Sequence, residues 1–177
     1  MRKFLCICRP SFLHRAKIGI RQVQRCYPKA QLLEIQGFPV RGGFIEKPHD
    51  VDKMTIVFSN PTVLPDGQPG DETLIIHSTG PRTFGQIEVI PRSWDGVDPI
   101  RLKDIRMSLA SALKLKKKAG FTRPENSVFV CKTVSLVNED ILYIFGDRSP
   151  YHIVNTRTKK VSMQGGGFER PSLETGK

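Results

Sequence analysis

The chain has 177 residues, of which 38% are hydrophobic and 25% are charged. This length suits one domain with a single core, and the composition is typical of a globular protein and excludes a largely disordered one. No run of the sequence approaches the ~18 to 20 apolar residues that a membrane-spanning helix needs, so we expect a protein that can touch a membrane but does not cross it.

The net charge of +11 is unevenly distributed along the chain. Residues 51–100 hold three basic and seven acidic side chains, a balance of −4, so the other 127 residues carry +15. One part of the molecule is therefore basic and another is mildly acidic. This asymmetry favours an anionic partner, either nucleic acid or an acidic membrane surface, and it also suits head-to-tail self-association of opposite patches.

The N-terminal segment is strongly basic, because residues 1–33 contain eight basic side chains and no acidic residue precedes Glu34. Within it, "KFLCIC" at 3–8 predicts a short buried strand. The stretch 11–26 predicts an amphipathic helix, with an apolar face formed by Phe12, Ala16, Ile20 and Val23. The arginine-rich, acid-poor character has a second interpretation as a mitochondrial presequence.

The middle of the chain predicts several strands. Residues 32–50 indicate a strand followed by a connection that glycine and proline break. The next apolar runs predict strands at 54–58, 73–78 and 84–90. The stretch 59–71 between the first two of these is rich in proline, glycine and aspartate, and we expect it to be a long loop that is either mobile or a binding loop.

A single long helix is predicted over residues 99–119. Asp98 fits as its N-cap, Pro99 as its first residue and Gly120 as its C-terminal stop. Such a helix would be about 31 Å long at ~1.5 Å per residue. Its apolar stripe, which would pack on a sheet, consists of Leu102, Ile105, Leu109, Ala112 and Leu113.

The C-terminal third predicts an antiparallel meander with strands at 127–137, 140–145, 151–155 and 159–163. The tail 164–177 has few apolar residues, so we expect it to be disordered. The predicted fold class is therefore α+β, with a single compact domain over residues 1–163. In this domain an antiparallel sheet packs against one long amphipathic helix and an N-terminal helix, and residues 1–33 form either a basic arm or a first strand–helix unit.

No local signature of a catalytic or metal site occurs in the chain. GxSxG, P-loop and GxGxxG patterns are missing, and the aspartates of "HDVD" at 49–52 are interpreted as caps of turns. No CxxC pair occurs among the four cysteines, which are Cys6, Cys8, Cys26 and Cys131. We therefore predict a protein that is not an enzyme, with no catalytic residue, no metal and no cofactor.

The N-terminal order of strand, cysteines and helix has a redox interpretation. "FLCICRPSFLHRAKIGIRQVQRCYP", followed by "LLEIQGFPVRGGFIE", resembles in layout the small selenoprotein-W-like members of the thioredoxin superfamily over about the first 46 residues. The resemblance implies a thiol oxidoreductase that uses Cys6 and Cys8. The sequence departs from that family at this point, because cysteines one residue apart on a strand face the same side and do not form a CxxC turn.

The predicted long helix carries a one-sided basic flank, which covers about a third of its circumference. The members of the flank are Lys103, Arg106, Lys114, Lys117 and Lys118. The helix dipole accounts for lysines in the last turn but not for Lys103 and Arg106. Lys116 falls near the apolar stripe, where its aliphatic stem can run past the end of the core. We predict that the flank binds the anionic partner, aided by Arg15, Arg21 and Arg25.

The overall plan resembles that of small viral matrix proteins, and in particular the short, basic matrix proteins of plant rhabdoviruses. The shared features are the size, the charge, the basic N-terminal segment and the basic amphipathic helix. The resemblance implies a structural protein of the virion that binds ribonucleoprotein without sequence specificity, contacts the anionic inner face of the membrane and self-associates as a homo-oligomer. It also implies a location in the virion and in the host cytoplasm or at the membrane periphery.

The presequence interpretation leads to an alternative function. If the first ~30 residues are removable, the chain is a mitochondrial ribosome- or RNA-associated protein of the mitochondrial matrix. Loss of about 25 to 35 N-terminal residues from the mature protein would distinguish this alternative from a matrix protein.

Overall fold

The computed structural model describes residues 10–63, 66–133, 140–147 and 150–165. The described residues form two α-helices and nine strands. The helices are α1 (Phe12–Cys26) and α2 (Leu109–Lys118). The strands are β1 (Gln31–Pro39), β2 (Val51–Val63), β3 (Pro69–Ser78), β4 (Phe84–Ile90), β5 (Val97–Asp98), β6 (Val128–Thr133), β7 (Ile141–Phe145), β8 (Tyr151–Asn155) and β9 (Val161–Gln164).

The strands form one sheet in the order β4-β3-β2-β1-β6-β7-β8-β9, and every described pairing is antiparallel. The short strand β5 pairs with the end of β6. Most neighbours in the sheet are also neighbours in the chain, because hairpins connect β2 to β3, β3 to β4 and β7 to β8. The exception is β1, which lies between β2 and β6. It therefore joins the strands β2 to β4 on one side to the strands β6 to β9 on the other.

Both helices pack on the same face of this sheet, which we call the helix-covered face. Side chains such as Ile56, Phe58 and Tyr143 point to this face and join the apolar side of α1 and α2 in the main core. The opposite face is also apolar and buried, for example at Phe129 and Ile144. The central strands therefore have nearly continuous buried runs, which is the pattern of strands covered on both sides.

The helix α1 approaches the sheet closely at Gly19. A methyl group at this position would lie 2.7 Å from Ile56 Cδ1 and 2.8 Å from the ring of Phe84. Glycine is therefore the residue that lets the helix rest on β2 and β4 without displacing these side chains. The prediction of a helix at 11–26 is confirmed, with Ser11 as its N-cap.

The predicted fold class is wrong in its central element, because the long helix does not exist. The chain is mostly a nine-stranded antiparallel sheet with two short helices. Asp98 lies in β5 and not at a helix start, and only a single 3₁₀ turn, Leu102–Asp104, precedes α2. The N-cap of α2 is Ser108, whose hydroxyl accepts a hydrogen bond of 3.2 Å from Ser111 N–H.

Long-range backbone contacts explain why residues 97–107 are not helical. The Ile100 N–H donates to Leu32 O at 2.7 Å, and the Met107 carbonyl accepts from the Tyr143 hydroxyl at 2.9 Å. These bonds hold the segment against the sheet, where it forms no more than the single 3₁₀ turn at Leu102–Asp104, and they outweigh the local helix-start signals. The predicted stop at Gly120 fits the structure, since its φ of 90° ends α2 in the left-handed region.

The predicted long loop at 59–71 is also wrong. Strand β2 continues to Val63 and β3 begins at Pro69, so most of this stretch forms a hairpin arm in which Asn60 pairs with Glu72. The strands predicted at 140–145, 151–155 and 159–163 correspond to β7, β8 and β9. The strand predicted at 3–8 and most of the predicted tail lie outside the described residues, and the division into a domain and a tail stays a prediction.

Candidate anion-binding surface

One exposed side of α1 carries a row of three cations, Lys17, Arg21 and Arg25, which we call the α1 row. The residues are four apart, so their side chains lie above one another on the helix at intervals of about 6 Å. The opposite side of α1, with Ala16 and Val23, is buried in the core. The spacing of apolar residues in the sequence therefore fixes which cations face solvent.

Helix stability explains only part of the α1 row, because the helix dipole favours a cation in the last turn at Arg25 but not at Lys17 or Arg21. The helix contains no carboxylate, and within the described part of the chain none of the three side chains forms an ion pair. Like charges four residues apart destabilise a helix by ~0.2 to 0.5 kcal/mol per pair. A soluble helix face is normally covered by charges of both signs, so this row points to a partner with negative charge.

A groove of ≈ 610 Å³ runs beside the α1 row, between α1, the start of β1 and residues 99–102. We call it the α1 groove. Its rim carries Lys17, Arg21 and Arg101, and apolar side chains such as Ile100 and Leu32 lie below them. The remaining lining residues are Ile20, Gln24, Ala30, Gln31, Pro99 and Leu102. This volume lies within the range of about 300 to 1,000 Å³ that is typical of ligand pockets.

The second wall of the groove is fixed by hydrogen bonds at its base. The bond from Ile100 N–H to Leu32 O holds residues 99–102 beside β1. At the rim, Arg101 Nε lies 2.6 Å from Asp104 Oδ2 in a solvent-exposed ion pair. Such exposed pairs contribute only ~0.2 to 1 kcal/mol, so Arg101 can exchange this carboxylate for an anionic ligand at small cost.

The structure divides the predicted binding residues into separate groups. Arg21 and Arg25 belong to the α1 row, whereas Lys103 and Arg106 lie on the segment that precedes α2. The exposed cations of α2 itself are Lys114, Lys117 and Lys118. The one-sided flank does not exist as a helix face, because the residues predicted to form it lie on two different elements.

The two helices lie over different parts of the sheet. Helix α1 packs on β2 and β3, and α2 packs on β8. Four strand spacings separate β2 from β8, which corresponds to roughly 19 Å at ~4.8 Å per strand. The α1 row and the α2 lysines are therefore two distinct cationic sites, which can be changed independently.

Arg15, which was predicted to aid binding, does not lie on the exposed surface. It is 6% exposed, and its guanidinium donates to the carbonyls of Val51 and Asp52 at 2.6 and 2.7 Å. These bonds attach α1 to the start of β2. Its charge alone suggested a binding role, but its position three residues after Phe12 places it on the buried side of the helix, and this spacing was the signal against it.

Two members of this surface, Lys17 and Arg101, were not among the predicted binding residues. Lys17 was recognisable in the sequence, because it precedes Arg21 and Arg25 by regular intervals of four residues. Arg101 was not recognisable, since the long-range bond between Ile100 and Leu32 brings it to the groove.

A second group of charged side chains is buried beside α2, and we call it the Lys116 cluster. Lys116 is 3% exposed, and its ammonium lies 3.2 Å from Glu125 Oε1 and donates to the Arg123 carbonyl. Glu125 Oε1 also lies 2.7 Å from His152 Nδ1. The Phe145 ring is 5.8 Å from the ammonium. The prediction that Lys116 runs past the end of the core is therefore wrong, because the whole side chain is enclosed.

The Lys116 cluster borders a second cavity of ≈ 300 Å³, but its chemistry indicates a structural role. Glu125 and His152 line this cavity together with Phe44, Arg123, Pro124, Asn126, Gly146, Asp147 and Pro150. Among the described lining residues there is no serine, threonine or cysteine that the histidine–carboxylate pair could activate. The pair instead connects the segment after α2 to β8.

The described residues hold no group of three histidine, cysteine or acidic side chains that could bind a metal ion. In the stretch 49–52, Asp50 accepts hydrogen bonds from the backbone N–H groups of Glu46 and Lys47 at 2.9 and 2.8 Å. This is the turn-capping role that the sequence predicted. Cys26 is an exposed free thiol, Cys131 is buried, and Cys6 and Cys8 lie outside the described residues.

No protein-family model, curated protein or solved structure matches this chain. None of the described helices is long and apolar enough to cross a membrane. The candidate site therefore rests on its own geometry: a row of cations that form no ion pair within the described residues, beside a groove with a cationic rim and an apolar base.

Proposed function

We propose that this protein is a non-enzymatic structural protein that binds the phosphate backbone of nucleic acid, without sequence specificity, and that it self-associates in the manner of a viral matrix protein. The observation that carries the proposal is the α1 row, three exposed cations that form no ion pair with any carboxylate of the described residues. Sequence-independent binding to nucleic acid consists mainly of such contacts between lysine or arginine and phosphate.

The geometry of the row favours nucleic acid over a membrane surface. Its cations follow one another at about 6 Å, similar to the separation of successive phosphates along an extended strand. A helix that inserts into a membrane interface presents large apolar side chains next to its cations. The most exposed large apolar residues of the described chain all lie outside α1 and its groove, namely Val40, Phe44, Val63, Val89 and Met163.

The packing of α1 supports retention of the N-terminal segment. The helix places Phe12, Ala16 and Val23 in the main core, where each is almost fully buried. A removable presequence of ~30 residues would take this helix with it and expose the sheet beneath. This argues for the matrix-like function over the mitochondrial alternative.

The proposal is tested by titrating the protein into a fluorescent single-stranded RNA over a range of salt concentrations. Two triple variants with equal charge change are compared: K17E/R21E/R25E on α1, and K114E/K117E/K118E on α2. We expect the α1 variant to bind far more weakly and to reduce the slope of log K against log salt by about 2, since each phosphate contact on a single strand contributes ~0.7.

The matched α2 variant should retain most of the affinity and the wild-type slope. Equal losses in the two variants would contradict a defined site, because they would show that only the total charge matters. Vesicles with anionic lipid are titrated in parallel. Salt-dependent binding to vesicles without binding to RNA would instead assign the α1 row to a membrane surface.

A further inference from the structure

In the part of the chain that the structure describes, the sheet is open at both ends. Within the described residues, β4 pairs only with β3 and β9 pairs only with β8. Each outer strand therefore presents a row of backbone N–H and C=O groups to one side. Such edges pair readily with another strand unless charges, proline or a covering segment block them.

Neither outer strand contains lysine or proline, the usual protective residues, within its own span. Strand β4, "FGQIEVI", contains no lysine and no proline, and its one charged residue is Glu88. Strand β9, "VSMQ", contains no charged residue at all. A monomeric protein normally places lysine or proline at such positions, because these residues prevent edge-to-edge association.

Each edge also exposes one large apolar side chain, and the two lie on the same face of the sheet. Val89 on β4 is 45% exposed, and Met163 on β9 is 58% exposed. Val89 pairs with Leu74, which points to the helix-covered face. Met163 pairs with His152, which lies two positions from Val154 and therefore on the same, helix-covered face. Paired residues of neighbouring strands lie on the same face, so Val89 and Met163 both point to the helix-covered face. If β4 of one molecule met β9 of another with the helices on one side, both apolar side chains would lie on that side.

The charges favour contact between unlike edges. Residues 69–90, which contain β3 and β4, carry one basic and three acidic side chains, whereas residues 151–164, which contain β8 and β9, carry three basic and no acidic side chains. Two β4 edges would bring acidic regions together, and two β9 edges would bring basic regions together. A β4 edge and a β9 edge attract each other, which selects the unlike pairing.

We propose that copies of this protein join head to tail, with β4 of one copy pairing with β9 of the next to form a continuous sheet. This inference deepens the self-association included in the proposed function and names its surface. Because the contact uses different patches on the two partners, it leaves a free edge at each end and extends into a chain of copies. The overlap is limited by the four residues of β9, so the contact is weak and reversible.

The test measures the oligomeric state of the full chain by sedimentation velocity over a range of protein concentrations. The wild-type protein should form a series of species beyond the dimer, and added salt should shift the series toward the monomer. Val89→Lys and Met163→Lys each place a charge at one edge. Each should weaken association by about tenfold or more, because an unpaired charge at a new strand junction costs over ~1.4 kcal/mol.

Val63→Lys is the matched control, since Val63 is 72% exposed and lies at the far end of β2, away from both edges. It should associate like the wild type. The decisive step mixes the two edge variants: V89K keeps an intact β9 and M163K keeps an intact β4. The mixture should therefore form one-to-one dimers and nothing longer. If V89K loses its fold, as judged by circular dichroism, Gln86→Lys at an exposed position of β4 replaces it.

The inference would be overturned by a wild-type protein that stays monomeric at all concentrations, or by edge variants that associate like V63K. It would also be overturned if only one edge variant lost self-association, because this would indicate a contact between like edges. RNA binding by the dilute protein is measured separately. A wild-type protein that binds RNA but stays monomeric refutes the edge contact alone, and a wild-type protein that associates through these edges but does not bind RNA refutes only the proposed nucleic-acid site.

Discussion

Lys116 and Glu125 form an ion pair inside the protein, with the ammonium 3.2 Å from Glu125 Oε1 and both side chains almost enclosed. The pair joins α2 to the segment that leads into β6, and it is completed by His152. Burial of two charges is costly, and their attraction offsets this cost only while both are present.

Removal of one partner of this pair should destabilise the protein strongly. We expect Glu125→Gln to lower the free energy of unfolding by about 3 to 5 kcal/mol, because it leaves the Lys116 ammonium buried without its carboxylate. Urea unfolding at pH 7 measures the change. Lys116→Met in the same background should restore part of the loss, whereas the exposed neighbour, Lys117→Met, should change stability by less than about 0.5 kcal/mol. Equal losses from K117M and E125Q would contradict the buried pair.

Substitutions of two arginines of α1 should show that one residue contributes to stability and the other to RNA binding. Arg15→Gln removes the bonds to the Val51 and Asp52 carbonyls, and we expect it to lower the free energy of unfolding by about 1 to 3 kcal/mol while leaving RNA affinity nearly unchanged. Arg21→Gln removes the same charge from the exposed row, so it should lower RNA affinity and leave stability unchanged. Chemical unfolding and RNA titration of both variants test this, and a stability loss in R21Q with none in R15Q would reverse the assignment.

The pH dependence of stability should include a contribution from Asp140. Side-chain hydrogen bonds from Arg157 and Asn155 hold the pKa of this carboxyl below its usual value of 3.8. Because the pKa is lower in the folded state, the stabilisation is fully present above pH ~4 and is lost as the pH falls through the folded-state value.

Replacement of this carboxyl tests the effect. Asp140→Asn should lower the free energy of unfolding at pH 7 by about 1 to 2 kcal/mol, and the difference from the wild type should shrink as the pH falls toward 3. Urea unfolding at several pH values measures the difference. Asp71→Asn, at an exposed position of β3, should give no such pattern. A difference that is constant with pH would show that the charge of Asp140 does not contribute.

The N-terminus of the mature protein distinguishes the matrix-like function from the mitochondrial alternative. We expect mass spectrometry of the protein from its natural source to find peptides from α1, because residues such as Phe12 and Val23 complete the core. A mature protein that begins near Ala30 would contradict the proposed function. As a control, recombinant protein without residues 1–29 should fail to show a cooperative unfolding transition.

Part of this fold was predictable because its signals are local. The face of α1 follows from the spacing of four apolar residues, and the strand β8 follows from a short β-branched and aromatic run between turns. The helix predicted at 99–119 failed for the opposite reason. Asp98 and Pro99 are good local starting signals, but strand pairing with β6 and the bond from Ile100 to Leu32 decided the outcome.

The candidate site also has a part that local sequence signals predict and a part that depends on long-range contacts. The α1 row is visible in the sequence as cations at intervals of four, and its exposure follows once the apolar face is known. The groove is not visible, because its second wall comes from a distant part of the chain. Burial of Arg15 and Lys116 was also missed, since charge alone says nothing about whether a side chain has backbone or carboxylate partners in the core.

The composition of the α1 groove from two distant segments has a consequence during protein synthesis. Arg21 and Arg101 are 80 residues apart in the chain. At ~5 to 20 residues per second, the second rim leaves the ribosome roughly 4 to 16 s after the first. A nascent chain therefore exposes the α1 segment well before the second wall of the groove exists, so the proposed RNA site is complete only after translation has passed the middle of the message.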